Sequence, residues 1–157
     1  MKSFILAILA FAASPTAALA STRASNKTAS NKAIVTAFYD LAFVNHQPAA
    51  AARAYLGEHY IQHNPRVPNG PTAFIAFFEN LLRTNPGFST RVCKVVAEGD
   101  LVVIHAHAKK DPQDLGLAIV DIFRVDNGKI VEHWDVIQPV TTGAPNGNTM
   151  FDGTNAK

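Results

Sequence analysis

The sequence predicts an α+β domain in which helices pack on one face of a curved antiparallel sheet. Three observations carry this. The first half of the chain places its apolar residues at helical spacing, and the second half alternates apolar and polar residues as strands do. Between the last two strand-like runs, Asn127-Gly128 supplies the positive-φ pair that a tight hairpin needs. Helices followed by a run of strands, with no internal repeat and no second domain, is the order of an α+β fold.

Residues 31–43 carry Ile34, Val35, Phe38, Leu41 and Ala42 on one helical stripe. Residues 48–56 are alanine-rich, with Pro48 suited to a first helical turn and Gly57 as the expected stop. A short extended piece over residues 60–63 precedes a loop at residues 65–70. Residues 71–85 form the clearest helix, with Phe74, Ile75, Phe77, Phe78, Leu81 and Leu82 as its apolar positions and Asn85-Pro86-Gly87 ending it. Residues 89–97, 101–109, 115–125 and 129–138 are β-rich. They are separated by turn residues at Gly99-Asp100, Asp111-Pro112 and Asn127-Gly128.

The two ends read differently. Lys2, the apolar run over residues 4–13 and the small-x-small site Ala18-Leu19-Ala20 form a secretory signal peptide over residues 1–20. Its apolar run is too short to span a membrane, so no membrane association is expected after cleavage. Residues 21–30, rich in Ser, Thr, Asn and Lys, read as a flexible mature N-terminus. Residues 31–139 hold the domain. Residues 140–157 read as a tail in which Met150 and Phe151 are able to dock. The formal charge of +2 falls to +1 without Lys2, and no basic cluster points to nucleic acid. One cysteine, Cys93, excludes an intramolecular disulfide, so the domain must rely on its core. Among Val92, Val95 and Val96, Cys93 is expected as a small buried residue.

The chemistry concentrates in residues 121–138. Asp121 shares its strand parity with Phe123 and Val125, so a carboxylate falls on the apolar face. That placement is costly unless the carboxylate has a partner or lines a cavity, where it can serve as an acid or base. Arg124 has the opposite parity and is not the obvious partner. His105 and His107 share one strand face. If that face is concave, both imidazoles enter the pocket to orient Asp121 or donate to a carbonyl. His63, within Gln62-His63-Asn64, is placed at a pocket mouth, while His46 and His59 read as surface residues. His133, Trp134 and Asp135 cannot all face inward. A two-residue Asn127-Gly128 turn sets Trp134 opposite Asp121 as a wall, whereas a three-residue turn sets His133 there as a dyad.

Four pieces together resemble one family: Y-I-Q-H-N-P at residues 60–65, the helix start at 70–78, G-D-L-V-V-I-H at 99–105, and D-I-F-R-V-D-N-G-K-I-V-E-H-W-D at 121–135. They resemble the SnoaL-like group of polyketide cyclases and aldol-condensation enzymes in the nuclear transport factor 2-like superfamily. The resemblance implies a conical fold with a deep pocket between the concave sheet face and the helices. It also implies cofactor-free acid-base chemistry on a small carbonyl compound, without a metal. Asp121 occupies the acid/base motif, with His107 beside it as a catalytic group. His63, His105 and either His133 or Trp134 are the substrate-binding residues so implied.

Two rivals remain open. The G-x5-H-x-H run ending at His107, with Asp111 beyond it, opens like a cupin metal motif. Against it stand the missing second motif and the helical first half. The other rival is a pocket that holds a small apolar ligand without turnover. The expected protein is a secreted or periplasmic cyclase, lyase or isomerase, forming a homodimer through the outer sheet face. Mass spectrometry of the exported protein is expected to find Ser21 as its first residue, and an intact Met1 would refute the leader.

Overall fold

The computed structural model describes residues 15–151. Helix α1 spans Pro15–Tyr39 and runs straight into a π-helical turn, Asp40–Val44. Helices α2 (Pro48–Tyr55) and α3 (Pro71–Thr84) follow, each with proline in its first turn, where the missing N–H costs no hydrogen bond. Strand β1 (Leu56–Gln62) lies between α2 and α3. Strands β2 (Ser89–Glu98), β3 (Leu101–Lys109), β4 (Leu117–Asp126) and β5 (Lys129–Pro139) form the rest of the sheet.

The strand order is β1-β5-β4-β3-β2. The meander from β2 to β5 is antiparallel as expected, but β1 adds itself parallel to β5. The sheet is therefore mixed, curved and unclosed. The short extended piece expected at residues 60–63 is a full edge strand. Gly57 lies inside it rather than ending α2. A Cβ at Gly57 would meet Val131 Cγ1 at 3.2 Å, so the small residue permits β1 to approach β5.

Two bulges interrupt the antiparallel meander. In β2, Cys93 is left without a partner between the pairs Val92–Ala106 and Lys94–His105. In β5, Val131 is extra between Val125–Ile130 and Arg124–Glu132. An extra residue bends its strand and increases local twist. Cys93, expected to be buried, is half-exposed because the bulge turns it out of the regular alternation.

The helices cover the concave face. Val35, Phe38, Tyr39, Ala42 and Phe43 pack with Phe74 against Val102, Ile104, Phe123 and Ile130. The π-turn, closed by the Asn45 N–H donating to the Asp40 carbonyl at 2.8 Å, lets both Ala42 and Phe43 remain buried. Buried Asn31 ties α1 to the β2–β3 turn by donating from Nδ2 to the Gly99 carbonyl at 3.0 Å.

The chain ends depart from expectation in part. Residues 1–14 of the expected leader lie outside the described residues, and residues 15–20 begin α1. Residues 21–30 continue the same helix instead of being irregular, with nearly every side chain exposed. Helical hydrogen bonds satisfy the backbone there without any packed face. In the tail, Phe151 docks as anticipated, and residues 152–157 lie outside the described residues.

Candidate active site

Directly paired residues in an antiparallel ladder point to the same side. Asp121 pairs with Ile104 on one side and Asp135 on the other, and Phe123 pairs with Val102 and His133. All of these face the helices. The turn is the two-residue one, with Asp126 opposite Lys129, yet the Val131 bulge advances the register by one residue. His133 and Asp135 therefore enter the cavity together, and Trp134 points away. The face is the one expected of the three-residue turn, with His133 beside Asp121, but it is reached through a two-residue turn and a bulge.

Asp121 and His133 are each only 7% exposed. His133 Nε2 lies 3.0 Å from Asp121 Oδ1. Tyr39 donates its hydroxyl to Asp121 Oδ2 at 2.9 Å. His133 Nδ1 lies 2.7 Å from Gln62 Oε1, which also accepts the Asn64 backbone N–H at 2.9 Å. Because that N–H can only donate, the Gln62 oxygen must be the acceptor, and Nδ1 carries a proton. The Nε2–Oδ1 contact is then a hydrogen bond only if one further proton sits between the two atoms. That proton resides on Nε2, as imidazolium and carboxylate, or on Oδ1, as acid and neutral imidazole. Nearby, Asn64 Nδ2 donates to Asp135 Oδ2 at 2.5 Å, and Gln62 Nε2 donates to the Tyr60 hydroxyl at 3.4 Å.

These groups form the polar end of a cavity of about 260 Å³. Phe43, Phe74, Phe78 and Phe88 line one side, and Ile119 and Ile137 line the sheet side. Such a volume sits just below the roughly 300 Å³ at which small-molecule pockets begin.

The remaining expected site residues lie elsewhere. His105 pairs with Val120 and His107 with Ala118, so strand parity puts both on the opposite sheet face from Asp121. There Phe151 stacks on them, with ring centroids 5.4 Å from His105 and 4.3 Å from His107. The expectation that they share a pocket with Asp121 is corrected accordingly. His63 also faces outward. It stacks flat on Trp134 at 4.8 Å and bonds Glu132 at 2.8 Å. Glu132 is also held by Arg124, and these two partners, His63 foremost, keep its carboxyl below the usual glutamate range. Trp134 is thus no pocket wall, and His63 is no mouth residue, although its neighbours Gln62 and Asn64 are.

Tyr39, Tyr60, Gln62, Asn64 and Asp135 complete the polar end. The Gln62-His63-Asn64 cluster did signal a site, and extending the strand reading through it would have selected the alternate pair. Nothing local marks Tyr39 as a partner for a residue 82 positions away.

Asp121, His133 and Asp135 are the only trio of potential metal-ligating side chains brought together among the described residues, their ligand atoms lying within 4.8 Å of one another. Nε2 and Oδ1 sit 3.0 Å apart, which suits a shared proton. His105, His107 and Asp111 assemble no such group, so the cupin-type ligand set is not formed.

A helical layer on a curved, unclosed five-stranded sheet is the fold of the nuclear transport factor 2-like, SnoaL-like and ketosteroid isomerase group. Residues 33–144 match the SnoaL-like polyketide cyclase family, and the chain belongs to it. No curated protein matches the chain. Among solved structures, a candidate ketosteroid isomerase from Kribbella flavida DSM 17836 is similar at a TM-score of 0.63 and 16% identity, covering 83% of this chain and 94% of that one. A nuclear transport factor 2-like protein of unknown function from Mesorhizobium loti is similar at 0.59 and 23%, covering 71% and 93%. TsrD from Streptomyces laurentii is similar at 0.58 and 22%, covering 69% and 88%. These likenesses concern the fold.

Burial, and then the Asp121 charge, push the Tyr39 hydroxyl well above its ordinary value of 10.0, and the same two causes raise Tyr60. A raised folded value means stability that is full below about pH 10 and lost as pH climbs beyond it. In a spectrophotometric titration, two of the three tyrosines are expected to stay un-ionised until the protein unfolds. If all three ionised near pH 10 with the circular dichroism unchanged, the Tyr39–Asp121 bond would be wrong.

Proposed function

We propose that this protein performs cofactor-free acid-base catalysis, as a cyclase, lyase or isomerase, on a small carbonyl compound held in the cavity. The observation that carries the reading is the buried Asp121–His133 hydrogen bond at the end of an apolar pocket. Asp121 takes a proton from the carbon next to the carbonyl and returns it to the developing alkoxide, so an aldol-type closure leaves the pair unchanged. His133, fixed through Nδ1 by Gln62, holds the shared proton and orients the carboxylate. The protonated Tyr39 hydroxyl steadies the other oxygen. His133 thereby fills the positioning role expected of His105, His107 and His63.

One observation favours the rival, ligand binding without turnover: both Asp121 oxygens already have partners, as a purely structural carboxylate would. Asp121→Asn separates the two. On a substrate found by screening cyclic and aromatic ketones, it is expected to lower kcat about 10²–10⁴-fold while the melting temperature stays near that of the parent. Full activity in this variant would end the catalytic reading.

The partners are a small carbonyl compound and a second copy of the chain, in an exported protein. Supporting the second copy, Val96 and Val136 on the outer sheet face are 62% and 68% exposed, beside Val120 at 37%. Val136→Asp is expected to convert a dimer to a monomer in light scattering. A monomeric parent protein would refute the dimer.

A further inference from the structure

Three cations line the cavity alongside its apolar wall: Arg66, Lys109 and Lys110. Arg66 and Lys110 are exposed, and Lys109 is half-exposed, so they mark the open end, whereas Asp121 and His133 are buried. None of the three forms an ion pair among the described residues. Lys109 Nζ donates to a neutral acceptor, the Pro112 carbonyl, at 2.9 Å.

The acids of the adjoining loop are already committed. Asp114 accepts the Lys110 backbone N–H at 2.9 Å and the Gly116 N–H at 3.0 Å, one on each oxygen. Asp111 Oδ1 accepts the N–H groups of Gln113 and Asp114, each at 2.9 Å. These bonds make both carboxylates caps of their own turn. The loop cannot swing Asp114 onto a lysine head group without uncapping two backbone donors. Gly116 further restricts it. With φ of +89°, a Cβ there would meet His107 Nε2 at 2.6 Å and the Ala108 carbonyl. Asp114 still lowers the local potential; the backbone N–H bonds from Lys110 and Gly116, and after them the Lys110 and Lys109 charges, hold its carboxyl below the usual aspartate range. Against these two loop carboxylates, Arg66, Lys109 and Lys110 leave one positive charge in excess around the opening.

We infer that the cavity takes an anionic carbonyl compound, with its ring body against the phenylalanine wall and a carboxylate at the mouth between Arg66 and Lys110. This rests on the proposed carbonyl chemistry for the choice of carbonyl, but the anion preference stands on the mouth alone. A carboxylate at that end keeps the reacting carbonyl pointed toward Asp121. The reverse orientation would bring two negative groups together near Asp121 and Asp135.

Naphthoate and its neutral primary amide have nearly the same shape and differ in charge. Calorimetry at low ionic strength is expected to show naphthoate binding about tenfold tighter than the amide, with the gap closing as salt rises. The Arg66→Gln/Lys110→Gln double variant is expected to erase the preference while retaining amide binding. Both side chains are exposed and make no side-chain hydrogen bond or ion pair among the described residues, so folding is not at stake. Equal binding of the two probes, a preference that survives in the double variant, or binding of neither probe would overturn the proposal. Asp121→Asn is expected to keep the preference. If Asp121→Asn also kept turnover, the catalytic reading would fail while the anion site stood.

Discussion

A carboxylate on the apolar face of a sheet is the constraint around which this molecule is arranged. Asp121 lies between Phe123 and Ile119 on β4, under the helices, and every hydrogen-bonding position it offers must be filled from inside the protein. The last residue of α1, Tyr39, reaches one oxygen, and the middle of β5 reaches the other through His133. His133 in turn draws on the end of β1 through Gln62. Four elements therefore meet at one side chain, and no buried side-chain polar atom is left without a partner among the described residues. The π-turn after Tyr39 belongs to the same arrangement, since it changes the helical phase just where the phenol leaves the helix.

The two sheet faces carry separate polar systems. Inside, Tyr39, Asp121 and His133 are buried and continue through half-buried Gln62 and Asn64 as one hydrogen-bonded chain. Outside, Arg124, Glu132 and His63 form a second chain, with Trp134 flat against the imidazole. Glu132 and His133 are neighbours in sequence yet belong to different systems, as alternation on a strand requires. The outer chain is partly solvated and stabilises little. The inner one is held by the packed core and has the geometry for chemistry.

Much of the fold was legible in the sequence because its signals are local. The stripe at Val35, Phe38 and Ala42, the proline starts of α2 and α3, and the Asn127-Gly128 turn each declare an element within a few residues. Asp121 was legible for the same reason, as an acid out of place among apolar neighbours. The rest of the site depended on facts that no short window holds. Whether His105 and His107 face inward is a question about which side the helices take, and only their pairing with Val120 and Ala118 answers it. The face taken by His133 turned on a bulge at Val131, a β-branched residue with nothing in its neighbours to announce an irregularity. Tyr39 carries no local signal because its partner is distant in the chain. The parallel pairing of β1 was hidden for a related reason: Leu56–Gln62 is short and weakly alternating, and its partner is the last strand of the sheet.

The bulge at Val131 has an evolutionary consequence. It acts as a one-residue phase shifter between the Asn127-Gly128 turn and the cavity, so a change in hairpin length exchanges which alternate set of β5 side chains faces inward. One phase presents His133 and Asp135 to the pocket, and the other would present Glu132 and Trp134 in their place. The helices, the core and the other strands need not move for that exchange. A lineage built on this scaffold can thus reach a different reaction by a single insertion or deletion, where point substitution would have to rebuild the polar end residue by residue.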